Sequence, residues 1–573
     1  MSLTTWAGNR TYAAARVHEP RTVEEVQEVV AGARRVRALG TRHCFNDLAD
    51  TEHDLVRLDA LDPDVRVDAA ARTVTVAAGT RYGTLARALH AQGWALHNLA
   101  SLPHISVAGA VATATHGSGD RSRNLAAAVA GLDLVTADGS LRRLTRADPD
   151  LAGAVVGLGA LGVVVRVTLD VEPAYDVAQE VHTDLPWEAV AEHLDEITGS
   201  ADSVSLFTDW TGAAVNQVWR KTRLAPGATH EPRADLFGAR PAPGPLHPLP
   251  GIDPVNCTQQ LGVPGPWHER LPHFRLEFTP SNGDELQSEY LVPRERAVEA
   301  IAVLRALGPV VAPLLQVAEI RTVAADDLWL SSAYGGDRVG LHFTWLPRQP
   351  EVEAVLPRIE AALAPLGARP HWGKLFASVG APGSDPRDLY PRLDDFRALA
   401  ARLDPEGTFR NAFVDRHVLA GGAPRRPTRR AAQRARNASR SCRVSTPTGW
   451  PSSTTMSASC FCSASRAEST VSPDPMSGRA ADMCRSTRSD SAAAPENTAS
   501  SSSRSDTAPA TSPIFTGGSA PTTGICETPY SWRISMASRT VSFGCVCTRA
   551  GRLPSLVRST SPTVAPWSAS RNP

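Results

Sequence analysis

The residues best equipped for chemistry fall in a few short runs. Only two lysines occur in the chain, Lys221 and Lys374, against 57 arginines. A composition that uses arginine almost everywhere suggests that lysine is kept where a compact ammonium is needed in place of a planar fork. Lys374 closes the run His371-Trp372-Gly373-Lys374. Glu319 and Arg321 flank Ile320 in an apolar stretch, and a period of two puts both charges on one face of a strand. A buried face with both charges requires mutual pairing or a polar ligand; a structural ion pair is the plainer alternative. His342 and Thr344 repeat the spacing around Phe343, where the plainer alternative is a half-exposed strand.

Two other runs are nearly free of charge. Gly40-Thr41-Arg42-His43-Cys44-Phe45-Asn46 follows a short strand and breaks both the helical and the strand period. A loop of this kind can present successive backbone N–H groups to a phosphate, although it is neither a Walker loop nor GxGxxG. An ordinary turn would fit too, with His43 a hydrogen-bonded or solvated histidine. The run from Ser101 to Gly119 is dominated by small residues and hydroxyls, including Ser106, Thr113 and Thr115. Small side chains let backbone approach a large flat ligand while N–H and O–H groups supply hydrogen bonds. A tightly packed core turn is its alternative.

The elements that must hold these runs are legible in part. Thr22-Val23-Glu24-Glu25 reads as a capping box before valines at helical spacing. Residues 36–39 read as a strand, 65–68 and 73–76 as a hairpin, and 83–90 as a helix. Asp138-Gly139 joins strands at 132–136 and 141–145, and 163–171 is a β-branched strand. Beyond these, strands at 203–207, 274–278 and 339–345 alternate with helices at 294–307 and 351–364. The pattern is α+β, in two successive domains.

A length of 573 residues allows three or four domains at about 150 residues each. The formal net charge of zero conceals two opposite parts. Residues 421–573 hold 19 Arg against 7 acidic residues, and residues 1–420 hold 40 basic against 52 acidic. An acidic body argues against a nucleic-acid partner. No run of about 18 apolar residues marks a membrane span. The first residues lack the pattern of a signal peptide. Two distant cysteines in the body, Cys44 and Cys257, make no disulfide framework. A cytoplasmic protein with no membrane partner and no metal is the expectation. After Gly421-Gly422 the chain loses apolar periodicity, and 31 of its last 153 residues are Ser. That tail reads as disordered, either a basic extension or out-of-frame translation; its scattered Cys and Trp favour the second.

Taken in order, the charge-poor runs resemble the FAD-binding domain of the vanillyl-alcohol oxidase type of flavoprotein. Within that family, residues 41–46, 100–109, 115–119 and 158–162 are similar to the alditol (xylitol) oxidase branch, and so are residues 203–210, 255–258 and 262–274. The resemblance covers about residues 5–420 and implies an FAD domain (5–171), a substrate-binding cap (172–365) and a segment returning to the flavin (366–420), before the tail (421–573). It implies an FAD site made by Gly40, Thr41, Arg42, His43, Cys44, Asn46, Ser101, Ser106, Val107, Ala108, Gly109, Thr113, Thr115, His116, Gly117, His371 and Lys374. His43 matches the histidine that carries the flavin covalently, while Cys44 departs from the Ser usual beside it. Ser101, Glu319, Arg321, Thr344 and Lys374 would bind a polyol, with Lys374, Arg321 and His342 catalytic. The implied reaction oxidises the terminal hydroxyl of an alditol such as xylitol or sorbitol to the aldose and reduces O2 to H2O2. An aldonolactone oxidase or dehydrogenase of the same superfamily is the nearest alternative, and a non-catalytic flavin- or carbohydrate-binding protein another. The expected partners are the polyol and O2, with a monomer as the simplest assembly.

Overall fold

The computed structural model describes residues 3–281, 283–379 and 385–419, and two strands at 532–536 and 539–543. Residues Met1–Gly449 form one compact unit and Trp450–Pro573 a second. In the first unit Thr22 caps the helix Val23–Gly32 by accepting from the Glu25 N–H, and the Glu25 carboxylate reaches back to the N–H of Arg21. Val26 and Val30 bury its inner face. β1 (Arg16–His18), β2 (Val36–Leu39) and β3 (Asp54–Arg57) make a small parallel sheet with β3 in the middle.

An antiparallel sheet follows. β4 (Arg66–Asp68) and β5 (Thr73–Ala77) form its first hairpin; a short β6 (Trp94–Ala95) stands outside it. β7 (Val129–Val135) and β8 (Leu141–Thr145) turn through Gly139, whose φ of 79° suits glycine. β9 (Val163–Asp170) lies between β5 and β7. Its alternation buries Val163, Val165, Val167 and Leu169. β10 (Glu172–Pro173) pairs with β6.

The larger sheet has nine strands: β11 (Asp176–Pro186), β12 (Ser203–Thr208), β13 (Ala214–Leu224), β14 (Arg240–Pro241), β15 (Gly265–Pro266), β16 (Leu286–Pro293), β17 (Leu315–Val323), β18 (Arg338–Trp345) and β19 (Arg369–Pro370). Their order is β14-β11-β13-β12-β17-β18-β16-β19, with β15 on the side of β11. Helices Trp187–Thr198, Ala297–Val311 and Gln349–Leu363 supply Leu194, Ile301, Leu304 and Leu356 to a core shared with Leu206, Ile320, Leu341 and Phe343 of the sheet. Because side chains alternate, the residues between those apolar ones face the other way, and this second face carries the site. The segment Arg294–Leu314 is the one helix, among the described residues, long and apolar enough to cross a membrane. Ala297, Ala300, Ile301, Leu304 and Val311 of that segment belong to the sheet's helical core, which accounts for its apolar character.

The α+β architecture expected from the sequence is the one observed. One expected strand is absent: residues 274–278 are turns, apart from an isolated bridge between Phe274 and Cys257. The alternation of Phe274, Leu276 and Phe278 misleads because these rings and chains share no face; Phe274 is buried and Phe278 exposed. In the second unit, β20 (Trp532–Met536) and β21 (Arg539–Phe543) pair antiparallel where no element was expected. The rest of the tail, and with it the expectation of disorder, lies outside the described residues.

Candidate active site

A cleft extends from the loop after β2 to the open face of the nine-stranded sheet. About 2020 Å3 of space within it, the open mouth included, is unfilled by atoms. Its first wall is mostly backbone. Arg37, on β2, is buried and donates to four carbonyls: Nη1 to Gly159 (2.7 Å) and Phe409 (2.8 Å), Nη2 to Leu48 (2.6 Å) and Leu158 (2.7 Å). One guanidinium thus ties three chain segments behind the loop. Burial pushes its pKa down only to about 10, so it keeps its charge. Thr41 Oγ1 accepts from the Ser106 N–H at 3.0 Å and joins the loop to the helix Val107–Ala112. Added Cβ atoms would collide with Ser106 Oγ at Gly40 and with the Leu58 carbonyl at Gly79. Glycine at these two positions therefore lets the segments of the wall pack closely against each other.

His43 lies on this wall with both ring nitrogens buried and without a hydrogen-bond partner. Trp6 stacks on it at 5.2 Å between centroids. Burial, reinforced by His104, lowers the imidazole pKa to about 3, so the ring is neutral. A neutral, unpartnered imidazole facing a cleft has a lone pair to offer. Burial raises the neighbouring Cys44 thiol to about 11, and it stays protonated.

The second wall is made of charged side chains. Arg321 Nη2 donates to Glu289 Oε1 and Lys374 Nζ to Glu289 Oε2, both at 2.7 Å. Lys374 Nζ also lies 2.6 Å from His342 Nδ1, and His342 Nε2 lies 3.1 Å from Thr344 Oγ1. Sheet register accounts for this meeting, since Glu289 and Glu319 both stand opposite His342 from the two neighbouring strands. Arg321 Nη1 reaches Ser101 Oγ at 3.4 Å, and its Nε, 3.6 Å from Glu319 Oε2, makes no hydrogen bond. Burial pushes the Glu289 carboxyl up, but Arg321, Lys374 and His116 outweigh it and hold it well below the usual carboxylate range. Glu319 is lowered in the same way by Arg321 and His273 against its burial. Burial, then Lys374, lowers His342 to about 4. Burial lowers Lys374 as well, opposed by Glu289.

A family model described as an FAD binding domain matches residues 14–145, and one described as D-arabinono-1,4-lactone oxidase matches residues 283–417. An alditol oxidase from a Streptomyces species is 51% identical over 426 residues, covering 73% of this chain and 99% of that relative. The chain belongs to the alditol oxidase family. An L-gulono-1,4-lactone dehydrogenase from Mycobacterium tuberculosis is more distant, 29% identical over 72% of this chain and 97% of its own. The crystal structure of a cholesterol oxidase from B. sterolicum shares the fold, with a TM-score of 0.59 at 16% identity over 73% of this chain and 96% of that one.

Of the residues that the family resemblance implied, Gly40, Thr41, Arg42, His43, Cys44, Ser101, Ser106, Ala108, Gly109, Thr113, Thr115, His116, Glu319, Arg321, His342, Thr344, His371 and Lys374 line the cleft. Three do not. Asn46 is a tether: its Nδ2 donates to the carbonyls of Trp372 and Lys374, both at 2.8 Å. Val107 is fully buried in the core, because its position turns the side chain inward from the helix start. Gly117 packs where a Cβ would strike the Leu99 carbonyl, and its own carbonyl accepts from His116 Nδ1 at 2.8 Å. Among the described residues the cleft also contains Glu285, Gln287, Glu289 and His273, for which no role had been expected. Glu289 is the junction of the charged wall. Its signal was the period-two series Glu285, Gln287 and Glu289.

The fit to FAD rests on the first wall. A cleft walled by backbone and small residues, glycines at two positions of that wall where a Cβ would collide with neighbouring atoms, and an unpartnered His43 suit a large cofactor approached by backbone. Gly40–His43, Ser106, Ala108, Gly109, Thr113, Thr115 and His116 would hold it.

Proposed function

We propose that this protein oxidises the terminal hydroxyl of an open-chain alditol, such as xylitol or sorbitol, with FAD as cofactor and O2 as electron acceptor. FAD supplies, when bound, an acceptor for the carbinol hydride and a route for the electrons to O2, giving H2O2. The observation that carries the proposal is the Glu319 carboxylate on the cleft lining, held beside Arg321 and close to Ser101. A carboxylate that can accept from a hydroxyl, next to a hydroxyl that can donate to one, suits an uncharged alcohol. Ser101 and Thr344 add neutral partners, and leaving a buried pairing unmet costs about 1–3 kcal/mol. Lys374 and Arg321 place positive charge where an alkoxide develops.

Lys374 donates to His342 Nδ1, so the imidazole proton sits on Nε2 towards Thr344. His342 Nδ1 is thus occupied by Lys374, so the two act on the substrate hydroxyl as one hydrogen-bonded unit. In this reading the Lys374–His342 pair is the unit that takes up the hydroxyl proton. Covalent attachment of FAD at His43 belongs to the same proposal and is supported by the neutral, unpartnered ring. Anaerobic mixing of the purified flavoprotein with xylitol tests the reaction. Bleaching of the visible flavin band, reversed on admitting air, is the expected outcome. A band that stays yellow with polyols and bleaches with an aldonolactone would replace this reading by a lactone one. Flavin fluorescence that stays with the denatured chain, and vanishes in His43→Ala, tests the linkage.

A further inference from the structure

Lys221, the second of the two lysines, lies outside the cleft lining. It sits on β13 with only 1% of its surface exposed. Its Nζ has three neighbours: the Leu271 carbonyl at 2.5 Å, the Pro272 carbonyl at 3.1 Å and His273 Nδ1 at 3.0 Å. An ammonium has three N–H donors and no acceptor, so an ammonium fits this nest and His273 Nδ1 must accept. The single proton of a neutral imidazole then sits on Nε2, which donates to Glu319 Oε1 at 2.9 Å. With a neutral amine in the same nest, His273 could donate from Nδ1 and would turn an Nε2 lone pair on the Glu319 carboxylate. The proton on Lys221 thus sets the direction of the relay two residues away.

We propose that Lys221 is a positioning residue which, through the tautomer of His273, fixes Glu319 Oε1 and leaves Glu319 Oε2 beside Arg321 as the oriented acceptor for a polyol hydroxyl. This rests on the substrate role of Glu319 proposed above. The groups acting on Lys221 are His273, Glu319 and Cys257, and those acting on His273 are Lys221, Glu319 and Arg321. Burial lowers Lys221 to about 7, against the opposing pull of Glu319 and Cys257. Burial and Lys221 lower His273 to about 4, so it remains neutral. Raising the pH through about 7 therefore releases the relay and weakens binding.

The test measures KM for xylitol, the limiting rate of flavin reduction and FAD per chain in the full flavoprotein. In Lys221→Met, KM should rise about tenfold, the scale of one lost hydrogen bond to a charged group, while the limiting rate and FAD content hold. His273→Gln keeps an N–H towards Glu319 and a carbonyl towards Lys221, and an amide has no tautomer to switch. In this variant the wild-type rise in KM between about pH 6 and about pH 8, centred on the Lys221 titration, should disappear. If Lys221→Met fails to fold, the pH profiles of wild type and His273→Gln still decide. A wild-type KM flat across that range, or a rise that persists in His273→Gln, overturns this inference alone. A wild-type flavin that no polyol bleaches overturns the proposed function and this inference with it.

Discussion

Between Gly40 and His116 the cleft wall is backbone and small side chains, braced from behind by Arg37. Facing it, β16, β17 and β18 present Glu289, Glu319, Arg321, His342 and Thr344, completed by Lys374. Both walls bury polar groups, but they settle them differently. The first pairs most of its polar atoms within loops, His43 excepted, and leaves room, so its selectivity lies in shape. The second lines the cleft with charges that are mutually paired, so its selectivity lies in hydrogen-bond polarity. A cofactor that must be held irrespective of substrate suits the former; a hydroxyl that must be told from other small groups suits the latter.

The separation can be broken from either side. Lys374→Met should slow flavin reduction about a thousandfold, the scale of losing one preorganised stabiliser of developing charge, with FAD content preserved. Equal reduction rates in stopped flow would remove Lys374 from the chemistry. Glu289→Gln strips Arg321 and Lys374 of their shared counter-ion and should cost about 3–5 kcal/mol of stability in chemical denaturation. Because the Glu289 carboxyl is lowered on folding, its contribution is present above its unfolded value of about 4.5 and is lost as pH falls through the folded value. The gap between wild type and Glu289→Gln should therefore be widest at neutral pH and narrow in acid; a constant gap would contradict the assignment.

On the first wall, Gly79→Ala forces a Cβ against the Leu58 carbonyl. It should cost about 1–3 kcal/mol and lower FAD per chain, while the molecules that keep FAD reduce at the normal rate. A rate defect with full FAD would show that the walls are not separable. The smallest effect is expected at Thr344→Val, which unpairs His342 Nε2 and should cost about 1 kcal/mol, read as roughly a fivefold loss in kcat/KM for xylitol.

The same contrast governs what was legible in the sequence. Glu319 with Arg321 and His342 with Thr344 stood out because each pair brackets one apolar residue at strand period. Glu289 did not, because Leu291 shares its face and breaks the alternation that Gln287 and Glu289 begin. Arg37 alternates with buried Val36 and so resembles an outward residue, yet only 2% of it is exposed. The carbonyls that claim it lie at 48, 158–159 and 409, which no local pattern reveals. The hairpin at Gly139 and the capped helix at Val23 were readable because their determinants are neighbours in sequence. The turns at 274–278 were not, since the pairing of Phe274 with distant Cys257 and the exposure of Phe278 leave no common face for the alternation to report.

Asn46 joins the loop that follows β2 to Lys374, across 328 residues of chain. At roughly 5–20 residues per second, a ribosome that has just made the loop needs about 15 to 65 s to deliver its partner. During that interval the nascent chain holds one wall without the other. The cleft is complete only with the returning segment, so Lys374 is the last of its lining residues to be made.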